Sequence, residues 1–513
     1  MSLEPSYNKV VSNYKRNVGE MQSQIESRLP VDSEFVPNKI LCANVQANVV
    51  SHNVVANVVN FDGVAKVQAI YQTIDGAIKS VDYTVEFKDK YVASADINAG
   101  EIIITSDVID IRSSIESGTI RVVAVLNFGI DGIFSDSVNA LTSATGDGVF
   151  TKLEDITYSS FLGLASEKFD ASGDVDIKDE VDQILGVCAN AYIDRVESND
   201  NFVKVFGNVA VNVSYLTRGD NPTVRTIDST FDVNQEVALN GVEPRSIVNS
   251  LLDVNYQNIS VTTSLDNDRA VVSVIVPLEY KGYVWNEVRE QVVSDIYSTT
   301  NYINVATESF SVQSNHEPKT AVERVSGNVT LEDTDLFIDE ILGYCCGDVV
   351  VANTRVERDT VIVDGVASVT TLYRNNETNS IVSYDVQIPF SVDVKADQTN
   401  AECGANVVAN LTKLQVKARR GVEIEVNGEL NLYITSSCMS SEAVTTQVTL
   451  GEKRDNTNCN LVIYITKAGD TIWDIAKEML TDEETILRQN PDLELPFATG
   501  TRVVVYRQCY VNY

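Results

Sequence analysis

Histidine is nearly missing from this sequence: His52 and His316 are the only two, set in the unrelated contexts VVSHNVV and SNHEPK. A histidine-based triad or a histidine-rich metal site therefore has no material to work with. His52 reads as a solvent-facing strand position and His316 as a residue of a connection. Neither a Walker-type loop nor the glycine triplet of a dinucleotide fold occurs, which removes the usual nucleotide cradles. No stretch reaches the ~18 consecutive apolar residues of a spanning helix, and the opening MSLEPSYNKVVSNYKRN holds no apolar run of the signal-peptide kind. These two absences predict a protein without a transmembrane segment that stays in the cytosol of the cell that makes it. Basic residues are scarce, 39 Lys and Arg against 73 Asp and Glu, a net charge of −34. Such a field repels phosphate backbones and anionic membrane surfaces, so nucleic acid is not expected as a partner. The eight cysteines include no CxxC pair and no short-range disulfide spacing. They read as mostly reduced, with Cys188 and Cys345, in ILGVCANAYI and EILGYCCGDVVV, as small buried hydrophobes rather than redox or metal groups. No catalytic set, metal site or cofactor site emerges, and the chain reads as non-enzymatic.

What the sequence has in abundance is repetition. At 513 residues it exceeds the ~250 to 300 at which one hydrophobic core stops growing, so several domains are expected. Residues 181–233 (VDQILGVCANAYIDRVESN…) and 338–390 (IDEILGYCCGDVVVANTRVE…) both run Ile-Leu-Gly, a strand, then a strand closed by Gly-x-Val-x-Val and a tyrosine. A more divergent copy spans 37–87, with Tyr71 where the others place Tyr215 and Tyr373. Each copy has a second half with a further alternating strand, as in 118–130, 268–280 and 421–434. Apolar and polar residues alternate there as in half-buried antiparallel strands. Turn signals at Asp62-Gly63, Asp75-Gly76, Arg218 to Asp220, Asn221-Pro222 and Asn375-Asn376 punctuate them. The fold class predicted is mainly β: three tandem antiparallel sandwich or barrel-like domains at 31–145, 165–300 and 325–440, then a linker at 441–459. Periodicity fades at 145–165, 300–325 and 440–460. Residues 1–30 predict a short helix, because Val18, Met21, Ile25 and Leu29 recur at helical spacing before Pro30.

The pattern changes over 460–508. LVIYI reads as a strand, and in the following helix Ile472, Ile475, Ala476 and Met479 make one apolar stripe with Asp470 or Thr471 as N-cap. Thr481 to Glu484 has the form of a capping box for a second helix whose buried face is Ile486 and Leu487, ended by Asn490-Pro491. TRVVVY returns as a strand, giving a small βααβ domain. Trp473 lies one position off the stripe and is expected to be partly exposed, free to contact a sugar or a protein.

This segment, YITKAGDTIWDIAKEML…ILRQNPDL…ATGTRVVV, resembles a LysM domain in its Gly-Asp-Thr loop, its Asn-Pro-Asp loop and its late glycine. The resemblance implies a ligand groove at Gly469, Asp470, Thr471, Ile472, Asn490, Pro491, Asp492 and Leu493, with Trp473 beside it, of the kind that holds N-acetylglucosamine chains of peptidoglycan. The three-fold body is similar to the SPOCS domain of spore-coat morphogenesis proteins. The likeness is closest in the third copy, at Ile341-Leu342, Val361 to Val369, Leu372-Tyr373, and Ser383 with Ile388-Pro389-Phe390. The first copy has Val85-Glu86-Phe87 and the second Ser229-Thr230-Phe231 in the last place. Three such domains with a terminal LysM resemble the SpoIVA-interacting, or SipL, family of anaerobic spore formers. That resemblance implies an adaptor in the mother-cell cytoplasm at the forespore surface. It would bind a SpoIVA-like coat ATPase through LysM, with other coat proteins as further partners. A peptidoglycan-binding protein of the wall or cortex is the alternative.

Overall fold

In the computed structural model, residues 3–97, 100–219, 222–266, 269–331, 337–454 and 461–506 are described. The turn at Asp220-Asn221, the end of the expected linker at 455–459, and Cys459 and Cys509 lie outside them. The chain is mainly β, as its alternation predicts. The first module contains β1 (Glu4–Leu29), the meander β2 (Pro37–Val55), β3 (Val58–Thr73) and β4 (Ile78–Val92), then the hairpin β5 (Glu101–Glu116) and β6 (Thr119–Thr145). Two three-stranded antiparallel sheets result, β2-β3-β4 and β1-β6-β5. Between them lie Phe61, Val67, Tyr71, Leu126, Phe128 and Ile130, all buried. The second module repeats this plan with β7 (Val149–Ile177), the meander β8 (Val181–Asn199), β9 (Phe202–Thr217) and β10 (Val224–Ala238), and then β11 (Ile247–Val254), β12 (Ser260–Asp266) and β13 (Arg269–Ser298). The third has β14 (Asn301–Asn315) and β15 (Lys319–Thr330), the meander β16 (Ile338–Glu357), β17 (Thr360–Asn375) and β18 (Ile381–Lys395), and then β19 (Cys403–Arg419) and β20 (Glu423–Lys453).

Three expectations need correction. Residues 4–29 form a strand, not a helix: all but a bulged position of β1 pair with β6, and Ile25, Ser27 and Leu29 are buried at period two. Long-range pairing with an otherwise open edge overrides a local helical spacing that fits few residues. The stretches where periodicity fades are strands as well. β7 runs through 149–165, β14 and β15 occupy most of 301–325, and β20 continues through the expected linker to Lys453. Each pairs with the long closing strand of its own module, so the opening strand of a module precedes its repeat motif. Third, the six described cysteines are not free thiols here: Cys42 meets Cys345, Cys188 meets Cys346 and Cys403 meets Cys438 as disulfide pairs.

The closing strands β6, β13 and β20, of 27, 30 and 31 residues, are much longer than the sandwiches need. Their far ends pair only with β1, β7 and β14, making three two-stranded ribbons. These ribbons bundle into a stalk around Val10, Val138, Ala140, Tyr158, Val292, Phe310, Val312 and Val444. Hydrogen bonds cross between ribbons, from the Ser311 amide to Asp136 (2.9 Å) and from the Phe161 amide to Asn13 (2.9 Å).

Where the three meanders meet, the repeat motif acquires its meaning. Ile40, Ile184 and Ile341 stand opposite Tyr71, Tyr215 and Tyr373 in the same register, and each is followed by a register shift that leaves one residue over. The residues left over are Leu41, Leu185 and Leu342. A bulge re-aims the side chain it contains, and these leucines, each 2 % exposed or less, leave their own sandwiches for one shared core with Ile70, Ile78, Leu216, Val224, Leu372 and Ile381. The glycine after the leucine permits the contact. A Cβ on Gly186 would lie 2.6 Å from Gln68 of the first module, and one on Gly343 would lie 2.5 Å from Thr226 of the second.

Below this junction the modules enclose a chamber of about 470 Å³, lined by all three and including Asp107, Tyr256 and Val349. Asp107 and, next to Val349, Asp348 are reached by water but surrounded by protein. Loss of solvation raises both carboxyls, Asp348 to about 7. An unfolded aspartate titrates near ~3.9. Below that pH both states are protonated and Asp348 costs nothing. As pH rises from there through about 7, the folded state is increasingly penalised. Asp348→Asn is therefore expected to raise the unfolding free energy at pH 8 by about 1 to 2 kcal/mol, reduced from the dry-site value because water reaches the group. It should leave stability at pH 4 unchanged; equal effects at both pH values in denaturant titrations would contradict this account.

Candidate functional site

The last module is built as its sequence periodicity suggests, from β21 (Leu461–Ile465), α1 (Ile472–Met479), α2 (Glu483–Gln489) and β22 (Arg502–Tyr506), with the two strands paired antiparallel. Thr471 caps α1. Its hydroxyl accepts from the Asp474 amide, and Asp474 accepts in return from the Thr471 amide (2.9 Å), a reciprocal box that the Thr471 hydrogen bonds sustain by holding the Asp474 carboxyl below the usual range. The cap of α2 is Asp482, which accepts from the Thr485 amide at 2.7 Å, rather than Thr481. Ile475, Ala476, Met479 and Ile486 are buried, whereas Leu487 faces solvent.

The structure brings the residues of the two loops to one side of this module and shows how each is used. Gly469, at φ +90°, takes the left-handed turn that a side chain would strain, with open space where a Cβ would sit. Asp470 accepts from the Lys467 amide (2.8 Å) and from the Tyr464 hydroxyl (3.0 Å). Loss of solvation and this carboxylate together push the phenol up to about 12. Asn490 bridges α2 to β22: its amide donates to the carbonyls of Ile486 (2.8 Å) and Val504 (2.7 Å) and its oxygen accepts from the Val504 amide (2.8 Å). Ile472 and Leu493 are half-buried against the module core, while Gly469, Thr471, Pro491 and Asp492 are exposed. The polar side chains of the groove, Asp470, Thr471 and Asn490, thus serve the fold of their own loops.

Trp473 differs from expectation. It is 7 % exposed, packed edge-on against Tyr297 (4.9 Å between ring centres) at the tip of the stalk, and its indole N–H donates to Asp295 at 2.8 Å. Lys477, one turn on, donates to the same carboxylate at 2.7 Å. Burial disfavours the Asp295 charge, but the hydrogen bonds from Lys477 and Trp473 outweigh it and hold the carboxyl below its usual range. Tyr297 donates its hydroxyl to the Thr481 carbonyl (2.7 Å) and stacks on Phe150, so its phenol, raised by burial, stays protonated. Trp473 lies off the apolar stripe because a second body, the β7/β13 ribbon, covers it. Asp295, Tyr297 and Phe150 belong to this dock, and no local motif announces them. Only the pairing of β7 with β13 carries them to the stalk tip.

Among the described residues, nothing covers the opposite face of the small sheet. Leu461, Ile463 and Ile465 alternate outward from β21, 64 %, 58 % and 60 % exposed, with Tyr506 opposite Leu461 also exposed. Three large aliphatic side chains on one strand face are more than the single apolar residues that soluble surfaces tolerate.

Residues 464–497 match the LysM domain model, and residues 180–264 and 338–419 match the model described as SipL, SPOCS domain. The chain thus carries two SPOCS-domain matches followed by one LysM match. The matched SPOCS segments begin at the meanders of the second and third modules, and the first module shares their strand register and leucine bulge. SPOCS and LysM are non-catalytic binding domains, and their combination marks a sporulation-related adaptor or cell-wall-binding protein. No curated protein and no solved structure matches the chain. Among the described residues, no helix is long and apolar enough to cross a membrane.

The dock makes a direct prediction. The Lys477 and Asp295 side chains are 45 % and 34 % exposed, so their ion pair contributes about 1 kcal/mol or less. The buried indole contributes most, about 3 to 5 kcal/mol by comparison with other large aromatic truncations. Trp473→Ala is expected to undock the LysM domain and to raise the rate of cleavage between 454 and 461 in limited proteolysis. The three β modules should remain protease-resistant. A cleavage pattern identical to that of the wild type would refute the dock.

Proposed function

We propose that this protein is a non-enzymatic spore-morphogenesis adaptor, whose LysM domain recruits or anchors a SpoIVA-like coat ATPase at the forespore surface, in the mother-cell cytoplasm. The observation that carries the reading is the pairing of an occupied groove with an open apolar sheet. Asp470 and Asn490, the polar groups a saccharide would use, are engaged in hydrogen bonds of their own loops. Binding a sugar there would exchange existing bonds for new ones with little net gain. Leu461, Ile463 and Ile465 instead offer aliphatic area of the kind a protein surface covers. The dock supports the same reading, because a module fixed to the stalk presents that strand in one orientation and spares the ordering cost of a tethered domain. The net charge of −34 turns nucleic acid and anionic lipid away and leaves protein contacts as the natural mode. Other coat proteins would meet the three β modules.

The alternative, a peptidoglycan-binding protein of the wall or cortex, follows from the LysM match itself. One experiment separates the two: capture of the coat ATPase from sporulating-cell extract on the full-length chain, wild type and Ile463→Ser/Ile465→Ser, beside sedimentation with peptidoglycan. The adaptor reading predicts capture by the wild type, a loss of more than about tenfold with the double variant, and no sedimentation of either. Sedimentation without capture would replace it with the wall-binding reading.

A further inference from the structure

The junction holds a second feature that neither binding reading uses. Four cysteines from all three modules converge on it: Cys42 of β2, Cys188 of β8, and the adjacent Cys345 and Cys346 of β16, which line one small cavity with Asn44, Gln68 and Ser214. They belong to the strands whose bulges carry the shared leucines, so the same register brings three modules' sulfurs to one point. Asn44 is 6 % exposed and directs its amide N–H group at two of them, Cys346 at 3.1 Å and Cys188 at 3.5 Å, while its oxygen has no hydrogen-bond partner among the described residues.

In the structure the sulfurs are joined as Cys42–Cys345 and Cys188–Cys346, and no group of three or more ligand side chains among the described residues is placed to hold a metal ion. Two independent cross-links would not require this arrangement. Disulfide sulfur is a weak acceptor, yet a buried amide is aimed at two sulfurs from different modules. Two bridges could also lie anywhere along the module contacts, whereas here all four sulfurs share a single cavity. A thiolate, by contrast, is a strong acceptor, and four thiolates are the closed ligand set of a structural zinc site. Amide donors to ligand atoms are the usual outer support of such a site. The Cα separations, 6.4 Å and 5.9 Å, suit either state. A tetrahedral centre with Zn–S bonds of about 2.3 Å would require the sulfurs to stand about 3.8 Å apart.

We propose that Cys42, Cys188, Cys345 and Cys346 of the reduced protein bind one zinc-class divalent cation, tying the three modules together at their junction. Binding displaces the four thiol protons to solvent and leaves a −2 tetrathiolate centre, against which the Asn44 N–H group is placed. Relative to the cross-linked state of this structure, the two disulfides first take up four electrons and four protons from a thiol reductant, which is oxidised to its own disulfide; metal binding to the resulting thiols changes no oxidation state. The site is separate from LysM and survives or fails independently of which partner LysM takes.

The test uses the full-length chain, expressed and purified anaerobically without chelator, with metal content measured by plasma mass spectrometry. The proposal predicts about one zinc per chain. It predicts a fall of more than about fivefold in Cys188→Ser and in Cys346→Ser, with no change in Cys403→Ser, whose sulfur lies away from the junction. Should a serine variant fold poorly, cobalt(II) added to the reduced, metal-free wild type serves instead: intense thiolate-to-cobalt absorption with tetrahedral visible bands is expected. A reduced protein that carries no zinc and gives no cobalt spectrum overturns it, and Cys42–Cys345 and Cys188–Cys346 cross-linked peptides from the same anaerobic preparation would assign the four sulfurs to disulfides instead. A preparation whose metal is iron with inorganic sulfide overturns it as well.

Discussion

Everything in the body of this molecule hangs on one displaced leucine per repeat. Strict alternation along β2, β8 and β16 would bury every second side chain in its own sandwich, and three closed sandwiches would have nothing to offer each other. A one-residue bulge turns Leu41, Leu185 and Leu342 outward into a common apolar core. Each fully buried leucine is worth about 1.5 to 3 kcal/mol, and none can be buried unless the other two modules are in place. Gly186 and Gly343 make the approach close enough by leaving room for Gln68 and Thr226. The Ile-Leu-Gly signature is thus an assembly signal as well as a folding one.

The other ends of the modules are joined differently. There the chain spends nearly half of each closing strand on ribbons that pair only with the opening strand of the same module, and bundling buries one side of them in a shared apolar cluster. The stalk gives the LysM domain a rigid seat, because Asp295 and Tyr297 ride on β13 and Phe150 on β7, strands rooted in the second module. A partner bound to β21 is therefore held at a fixed distance and angle from the three β modules, the property an adaptor needs and a flexible tether cannot supply.

Much of this was legible in the residues, and what was not has a physical reason. The alternation around Tyr71, Tyr215 and Tyr373 located all three meanders, and the turn loops and apolar stripe located both short helices, because these are local signals. β1, β7, β14 and the end of β20 were unreadable as strands. Their exposed ribbon positions carry mixed polar residues, and Val18, Met21, Ile25 and Leu29 fit a helix as well as a strand until β6 supplies the partner. The burial of Trp473 was hidden for the same kind of reason: its cover, Tyr297, is 176 positions away in sequence. The cysteine contacts likewise span 303 and 158 residues, a separation at which no spacing rule operates.

The claim that three modules form one body through the bulged leucines is tested most directly by calorimetry of the full-length chain carrying Leu342→Ala. A truncation of this kind in a shared core costs about 2 to 5 kcal/mol. The account predicts that the unfolding transition containing all three β modules moves down in temperature as a single cooperative unit. A variant in which the third module melts early, in a separate transition, while the first two keep their wild-type melting temperature would contradict it.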